Sequence, residues 1–155
     1  LTPSPFDCWL ADRGLHTFQL RYDRAEANAM AIADHLAQLD QVEAVIYPGR
    51  DDHPDRDRAL ELFGARTGTM VSFELHGGRA EVNRFARAAP HLPFAPTLGD
   101  VATTVSHPAS SSHRRLTTEA RLALGISEGL IRLSVGIEDI DLLRAELSDA
   151  LTAAV

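Results

Sequence analysis

Short strand-like runs set between helical stripes limit what this chain can fold into. Residues 70–75 alternate strictly, with Val71, Phe73 and Leu75 on one side and Ser72 and Glu74 on the other. That is the period of a half-buried strand. Residues 130–135 repeat it, with Ile131, Leu133 and Val135 sharing a face. Shorter β-rich runs occupy 42–47, stopped by Pro48-Gly49, and 102–106. Helical periods fill the gaps. Ser4 is placed to cap a helix over 4–14, with Pro5 at its first position and Gly14 at its end. A longer helix over 16–39 puts Ala29, Ile32, Ala33, Leu36 and Leu39 on one stripe. Its many alanines are expected to stay partly exposed, for packing against something outside the chain. Further helices are expected at 55–63, at 79–89, at 117–124 behind Thr117, and at the C-terminus on Ile140, Leu143, Leu147 and Leu151. Glu138 and Asp139 stand at the start of that last helix, where its dipole favours acids. The expected class is α/β of the α+β sandwich kind: a small mixed, largely antiparallel sheet with helices on one face.

Composition closes off whole classes of function. The 155 residues make one domain's worth of chain, and the formal charge of −7 repels phosphate backbones, so nucleic acid is not an expected partner. The single cysteine, Cys8, can form neither an internal disulfide nor a structural zinc site. In a short helix between Asp7 and Trp9 it reads as a buried, inert thiol. No apolar run approaches the roughly 20 residues of a membrane span. No basic-then-apolar leader is visible, so the expectation is a soluble, cytoplasmic chain with no membrane partner. All 15 basic residues are arginine and lysine is absent. Chemistry that needs a lysine amine therefore cannot be carried by this polypeptide.

The most informative position is Arg132, inside the apolar strand Leu130-Ile131-Arg132-Leu133-Ser134-Val135. A guanidinium there is costly unless paired, and its fork suits a carboxylate or phosphate. The plain structural reading is an ion pair with an acid such as Glu138, or exposure on a solvated sheet face. The run His107-Pro108-Ala109-Ser110-Ser111-Ser112-His113 is polar and loop-forming. Its hydroxyls and imidazoles allow a nucleophile with a base, or a metal site, but no acid stands close in sequence to orient a histidine. The same run is also simply a Ser/Pro loop. Gly99, in Thr97-Leu98-Gly99-Asp100, permits a close backbone approach to a ligand or merely a turn. Gly77-Gly78 lacks any phosphate-loop pattern and reads as a turn.

Taken in order, these blocks resemble the C-terminal part of the Cys/Met-metabolism family of pyridoxal-phosphate enzymes. That family includes cystathionine γ-synthase, cystathionine γ-lyase, methionine γ-lyase and the O-acylhomoserine sulfhydrylases. The resemblance rests on six blocks: the run from Ser4 to Thr17, Val45-Ile46-Tyr47-Pro48-Gly49 with His53-Pro54, the run from Gly68 to Leu75, Thr97-Leu98-Gly99-Asp100-Val101, His107-Pro108-Ala109-Ser110, and the run from Leu124 to Asp139. The last is the most specific.

The resemblance implies roles. Arg132 would grip the α-carboxylate of an amino-acid substrate. Thr97 stands where the family usually has a serine beside that carboxylate, and Ser112 where many members have threonine; both keep a hydroxyl. Pro96 occupies a position that varies with reaction type, and Leu98 in place of the tryptophan of some β-lyases leans towards γ-type chemistry. The Schiff-base lysine and most of the pyridoxal 5'-phosphate site would belong to an upstream domain. By this resemblance residues 1–40 form a helical segment leading from that domain, and 41–155 the substrate-closing domain of an enzyme whose full-length form is typically a homotetramer. The chain alone, without lysine, would be inactive. Two other classes stay open at this stage. One is a free-standing amino-acid-binding or assembly domain; the other is a hydrolase built on Ser110 to His113.

Overall fold

Strict alternation in the second of its strands organises the whole molecule. The computed structural model describes residues 2–154. Four strands, β1 (Val42–Ile46), β2 (Met70–Leu75), β3 (Thr104–Ser106) and β4 (Leu130–Ser134), form one sheet in the order β1-β2-β4-β3. Every pairing between them is antiparallel. Val71, Phe73 and Leu75 of β2 and Ile131 and Leu133 of β4 turn to one face and are buried.

The helices are α1 (Pro5–Leu15), α2 (Phe18–Leu36), α3 (Arg56–Phe63), α4 (Arg79–Ala88), α5 (Thr118–Ala123) and α6 (Ile140–Thr152); α2, α4 and α6 cover that face. The core joins the sheet to Ala29, Ile32, Ala33 and Leu36 of α2, Val82 and Phe85 of α4, and Leu143, Leu147 and Leu151 of α6. Phe73 and Phe85 meet edge to face at 5.9 Å between centroids, a geometry that adds about 1 kcal/mol to their burial. The class and the helical stripes are therefore those expected, with small differences at the ends. The expected strand at 102–106 shortens to Thr104–Ser106, because Thr103 is drawn out of the ladder by hydrogen bonds described below.

Three expectations are corrected. Asp139 alone caps α6, taking the N–H groups of Asp141 and Leu142 on its carboxylate. Glu138 does not serve the helix dipole and turns instead to Thr103. Ala25, Ala29 and Ala33 of α2 are buried, because small side chains let the helix lie close against the sheet, while Ala27 is exposed and Ala31 half-buried, so the expected exposure holds for only part of the helix. The surface left uncovered is α1 and the start of α2. α1 is well capped, with the Asp7 N–H donating to Ser4 Oγ at 3.2 Å and the Ser4 N–H to the Asp7 carboxylate at 3.0 Å. It nevertheless buries nothing. Phe6, Trp9, Leu15, Phe18 and Leu20 all face solvent. Cys8 goes with them and is exposed, not the buried thiol expected, since none of the described residues covers that helix enough to bury any of its side chains.

Candidate functional site

The strand register decides what surrounds Arg132. Ser72 pairs with Arg132 across β2 and β4, Ser106 pairs with Arg132 across β3 and β4, and Ile46 pairs with Ser72. One row, Ile46-Ser72-Arg132-Ser106, therefore runs across the sheet on the face away from the helices. The neighbouring row holds Met70, Ser134 and Thr104. Arg132 is half-buried in this polar row and not in the apolar core. Its alternation with Ile131 and Leu133 explains how one strand carries both an apolar face and a guanidinium.

The segment from Pro93 to Thr103 wraps beside this row. Ala95 and Val105 bind it to the outer edge of β3: the Ala95 N–H donates to the Val105 carbonyl at 2.8 Å, and the Val105 N–H to the Pro93 carbonyl at 2.9 Å. The chain then curls inward, and Arg132 Nη2 donates to the Thr97 carbonyl oxygen at 3.3 Å. The Gly99 N–H donates to Ser134 Oγ at 3.1 Å. Gly99 takes φ +80° to make that bend, a region that costs any residue with a Cβ. No carboxylate meets Arg132 among the described residues, so the expected pair with Glu138 does not form. Arg132 Nε is shut off from solvent with no acceptor. An unpaired buried N–H on a cation is expensive, and a planar fork with its remaining donors free is suited to a carboxylate.

Of the three residues singled out in the sequence, Arg132 and Thr97 come together and Ser112 does not join them. Thr97 engages through its carbonyl, whereas its hydroxyl was the expected contact. Ser112 is exposed and its Oγ lies 2.8 Å from Nδ1 of the adjacent His113. His107 is buried; its Nδ1 lies 2.8 Å from Ser110 Oγ and its Nε2 3.1 Å from the Glu128 carbonyl. Burial pushes its pKa down, against the smaller opposing pull of the Glu128 carbonyl. Both ring nitrogens are thus spent on holding a turn, and no acid orients the ring as a hydrolase would need. No group of three or more potential metal ligands exists among the described residues.

Glu128 ties this turn to its surroundings, pairing with Arg79 Nε at 2.8 Å and with Arg121. The Arg79 hydrogen bond holds the Glu128 carboxyl below its usual range.

Sequence reasoning missed a second polar cluster. Glu138 accepts from both the backbone N–H and the hydroxyl of Thr103, the latter at 2.9 Å. Thr103 Oγ1 in turn accepts from the Gly136 N–H at 2.9 Å. Asn28 of α2 donates to the carbonyls of Gly136 and Glu138 at 3.0 and 2.9 Å. The sequence signal was an asparagine within an alanine-rich apolar stripe, a polar group that needs a partner when buried.

Comparison with known proteins places this architecture. The sequence profile described as Cys/Met metabolism PLP-dependent enzyme matches residues 1–152. This chain belongs to that family. It is 44% identical over 151 residues to L-methionine γ-lyase of Pseudomonas putida, covering 97% of this chain and 38% of that protein. It is 40% identical to O-succinylhomoserine sulfhydrylase of Pseudomonas aeruginosa, over 98% of this chain and 38% of that one. Cystathionine γ-lyase from yeast superposes with a TM-score of 0.91 at 40% identity, over 98% of this chain and 39% of that structure. Cystathionine γ-synthase from Xanthomonas oryzae, solved in complex with cystathionine, gives 0.88 at 42% identity, over 99% and 40%. The chain thus spans about two fifths of the relatives it matches. These family members are enzymes of sulfur amino-acid chemistry that use pyridoxal phosphate.

The donor set here does not fit that cofactor's covalent attachment. The aldehyde needs a side-chain amine, and no lysine is present. No helix among the described residues is long and apolar enough to cross a membrane.

Proposed function

We propose that this chain is the C-terminal, substrate-closing part of a pyridoxal-phosphate-dependent lyase or transferase of sulfur amino-acid metabolism, and that Arg132 binds the α-carboxylate of its amino-acid substrate. The observation that supports this reading is a guanidinium that meets no carboxylate among the described residues and is anchored by the Thr97 carbonyl. Thr97 is assigned to the substrate side of the site through its hydroxyl, and Ser112, whose hydroxyl here meets His113, is assigned there only as the family resemblance implies. Pyridoxal 5'-phosphate is assigned mainly to an upstream domain, which would also supply the lysine, so this chain alone is inactive. Residues 1–40 are assigned to the connection with that domain and 41–155 to substrate closure, in a soluble, cytoplasmic enzyme that assembles as a tetramer. The uncovered Phe6, Trp9 and Leu15 of α1 are suited to packing against such a domain, since a contiguous apolar patch on a monomer is a contact surface.

Steady-state kinetics of the complete, cofactor-loaded polypeptide test the assignment. Arg132→Leu is expected to raise KM for its sulfur amino acid by about two orders of magnitude, with a smaller change in Arg132→Lys. A KM unchanged in both variants would reject the carboxylate role.

A further inference from the structure

Among the described residues the Arg132 guanidinium receives one hydrogen-bonded constraint, and that comes from the backbone of a loop. The orientation of the cation therefore depends on where the Thr97 carbonyl is held. Side-chain packing does not fix this loop. Its outer side, at Gly99, Asp100 and Val101, faces a cleft of about 100 Å³ shared with Phe18, Tyr22 and Val135. Leu98 and Val101 are exposed. Hydrogen bonds hold it instead: Thr104 Oγ1 of β3 reaches the Thr97 carbonyl at 3.5 Å, and shorter bonds hold the loop at two further points. Near its start, Ser134 Oγ takes the Gly99 N–H at 3.1 Å. At its end, Thr103 is buried and gripped by Glu138 through both its N–H and its hydroxyl. The same hydroxyl accepts from the Gly136 N–H, and the Ile137 N–H donates to the Val101 carbonyl at 2.9 Å. Apart from the long Thr104 contact from β3, every one of these ties runs from the loop to β4 or to its immediate continuation. Arg132 itself stands on β4, two residues before Ser134.

We infer that Ser134, Thr103 and Glu138 are positioning residues: they lock the 97–103 loop to the strand that carries Arg132, so that the Thr97 carbonyl presents the guanidinium fork in its carboxylate-binding pose. This rests on the assignment of Arg132 as the carboxylate anchor. None of the three touches the substrate in this account. Each acts through the loop, and a displacement of about 1 Å at a binding group is enough to be felt strongly in rate or affinity.

The test uses the complete, cofactor-loaded polypeptide with four variants: Thr103→Val, Thr103→Ser, Ser134→Ala and Arg132→Leu. Thr103→Val keeps the shape but loses the hydroxyl that links Glu138 and Gly136. Thr103→Ser restores it. Three quantities are read: the Kd for L-methionine by calorimetry, KM against kcat for the sulfur amino acid turned over fastest, and hydrogen-exchange protection of the Gly99 amide. Thr103→Val and Ser134→Ala are expected to raise Kd and KM on the order of tenfold, with kcat kept within about twofold, as for lost ground-state binding. The Gly99 amide should lose protection in both, and Thr103→Ser should match the parent. If Thr103→Val does not fold, Ser134→Ala carries the same test, because it removes one oxygen from a strand that stays paired on both sides. Parent-like Kd and KM in Ser134→Ala, or a Thr103→Ser variant as weak as Thr103→Val, would overturn the positioning role. Arg132→Leu separates the two levels. Weak binding in Arg132→Leu beside normal binding in Ser134→Ala rejects the lock alone. Normal binding in Arg132→Leu rejects the carboxylate anchor and the lock with it.

Discussion

Replacing Asn28 by alanine and by aspartate tests how the α2 helix supports this arrangement. Asn28 is 2% exposed, and its amide nitrogen donates to the Gly136 and Glu138 carbonyls at 3.0 and 2.9 Å. Alanine deletes both hydrogen bonds. The Glu138 carbonyl would retain only a contact of 3.4 Å from Arg24 Nη2. Each lost bond is worth about 1 kcal/mol net, and each buried acceptor left unsatisfied costs about 1–3 kcal/mol. Partial rescue at Glu138 brings the expected total for Asn28→Ala to about 2–4 kcal/mol. For a chain of this size, about 3 kcal/mol lowers Tm by roughly 6–12 °C.

Aspartate at the same place sharpens the reasoning. Its carboxylate would face two carbonyl oxygens in a buried site, with the Arg24 guanidinium at the rim of the Glu138 carbonyl as the one nearby donor described; where burial and the carbonyls outweigh that cation, its folded pKa rises above the unfolded value of about 4. Stability that depends on the protonated acid is fully present below that unfolded value and is lost as pH rises through the folded one. Asn28→Asp should therefore be less stable than Asn28→Ala at pH 7.5 and should match or exceed it near pH 4. Urea unfolding followed by far-UV circular dichroism at both pH values is the assay. An Asn28→Asp protein as stable as Asn28→Ala at pH 7.5, or an alanine cost under about 0.5 kcal/mol, would refute the account of this contact.

Two further outcomes follow from the geometry. A Cβ at Gly136 would lie 2.3 Å from the Val101 carbonyl oxygen and 2.7 Å from the Ala102 carbonyl carbon, so Gly136→Ala should push the loop off β4. The expected loss is about 2–4 kcal/mol, and an unchanged Tm by differential scanning calorimetry would contradict it. His107 and His35 both have pKa values lowered from 6.5, chiefly by burial. The folded chain therefore binds fewer protons than the unfolded chain below pH 6.5, and stability should fall as pH drops through that range. In His107→Asn the slope should shrink without vanishing, because His35 remains; an unaltered slope between pH 6.5 and 5 would exclude His107 as a contributor.

Much of this was legible in the sequence because local pattern and global fold agree. The alternation at 70–75 placed Val71, Phe73 and Leu75 in the core, where they are found. Ser4, Pro5 and Thr117 marked helix starts through chemistry that acts within a few residues, and Ser4 and Thr117 cap as their side chains allow. Sequence spacing could not show contacts that close over distance. The Glu138–Thr103 tie spans 35 residues and Asn28–Glu138 spans 110, so Glu138 looked like a helix-dipole acid or a partner for Arg132. Strand register is equally invisible to a linear reading. Only the pairing of β2, β4 and β3 sets Arg132 between Ser72 and Ser106 on the polar face. Cys8 misled for a related reason: α1 is well capped yet buries none of its residues, and no local pattern signals that.

The central claim is that Arg132 recognises a carboxylate, and a residue–ligand cycle measures it most directly. Calorimetry on the complete polypeptide would compare L-methionine with L-methioninamide, in the parent and in Arg132→Leu. The account predicts that the amide binds the parent far more weakly than the acid, that Arg132→Leu no longer distinguishes them, and that the coupling is about 2–5 kcal/mol. A coupling indistinguishable from zero, with both proteins preferring the acid equally, would contradict it.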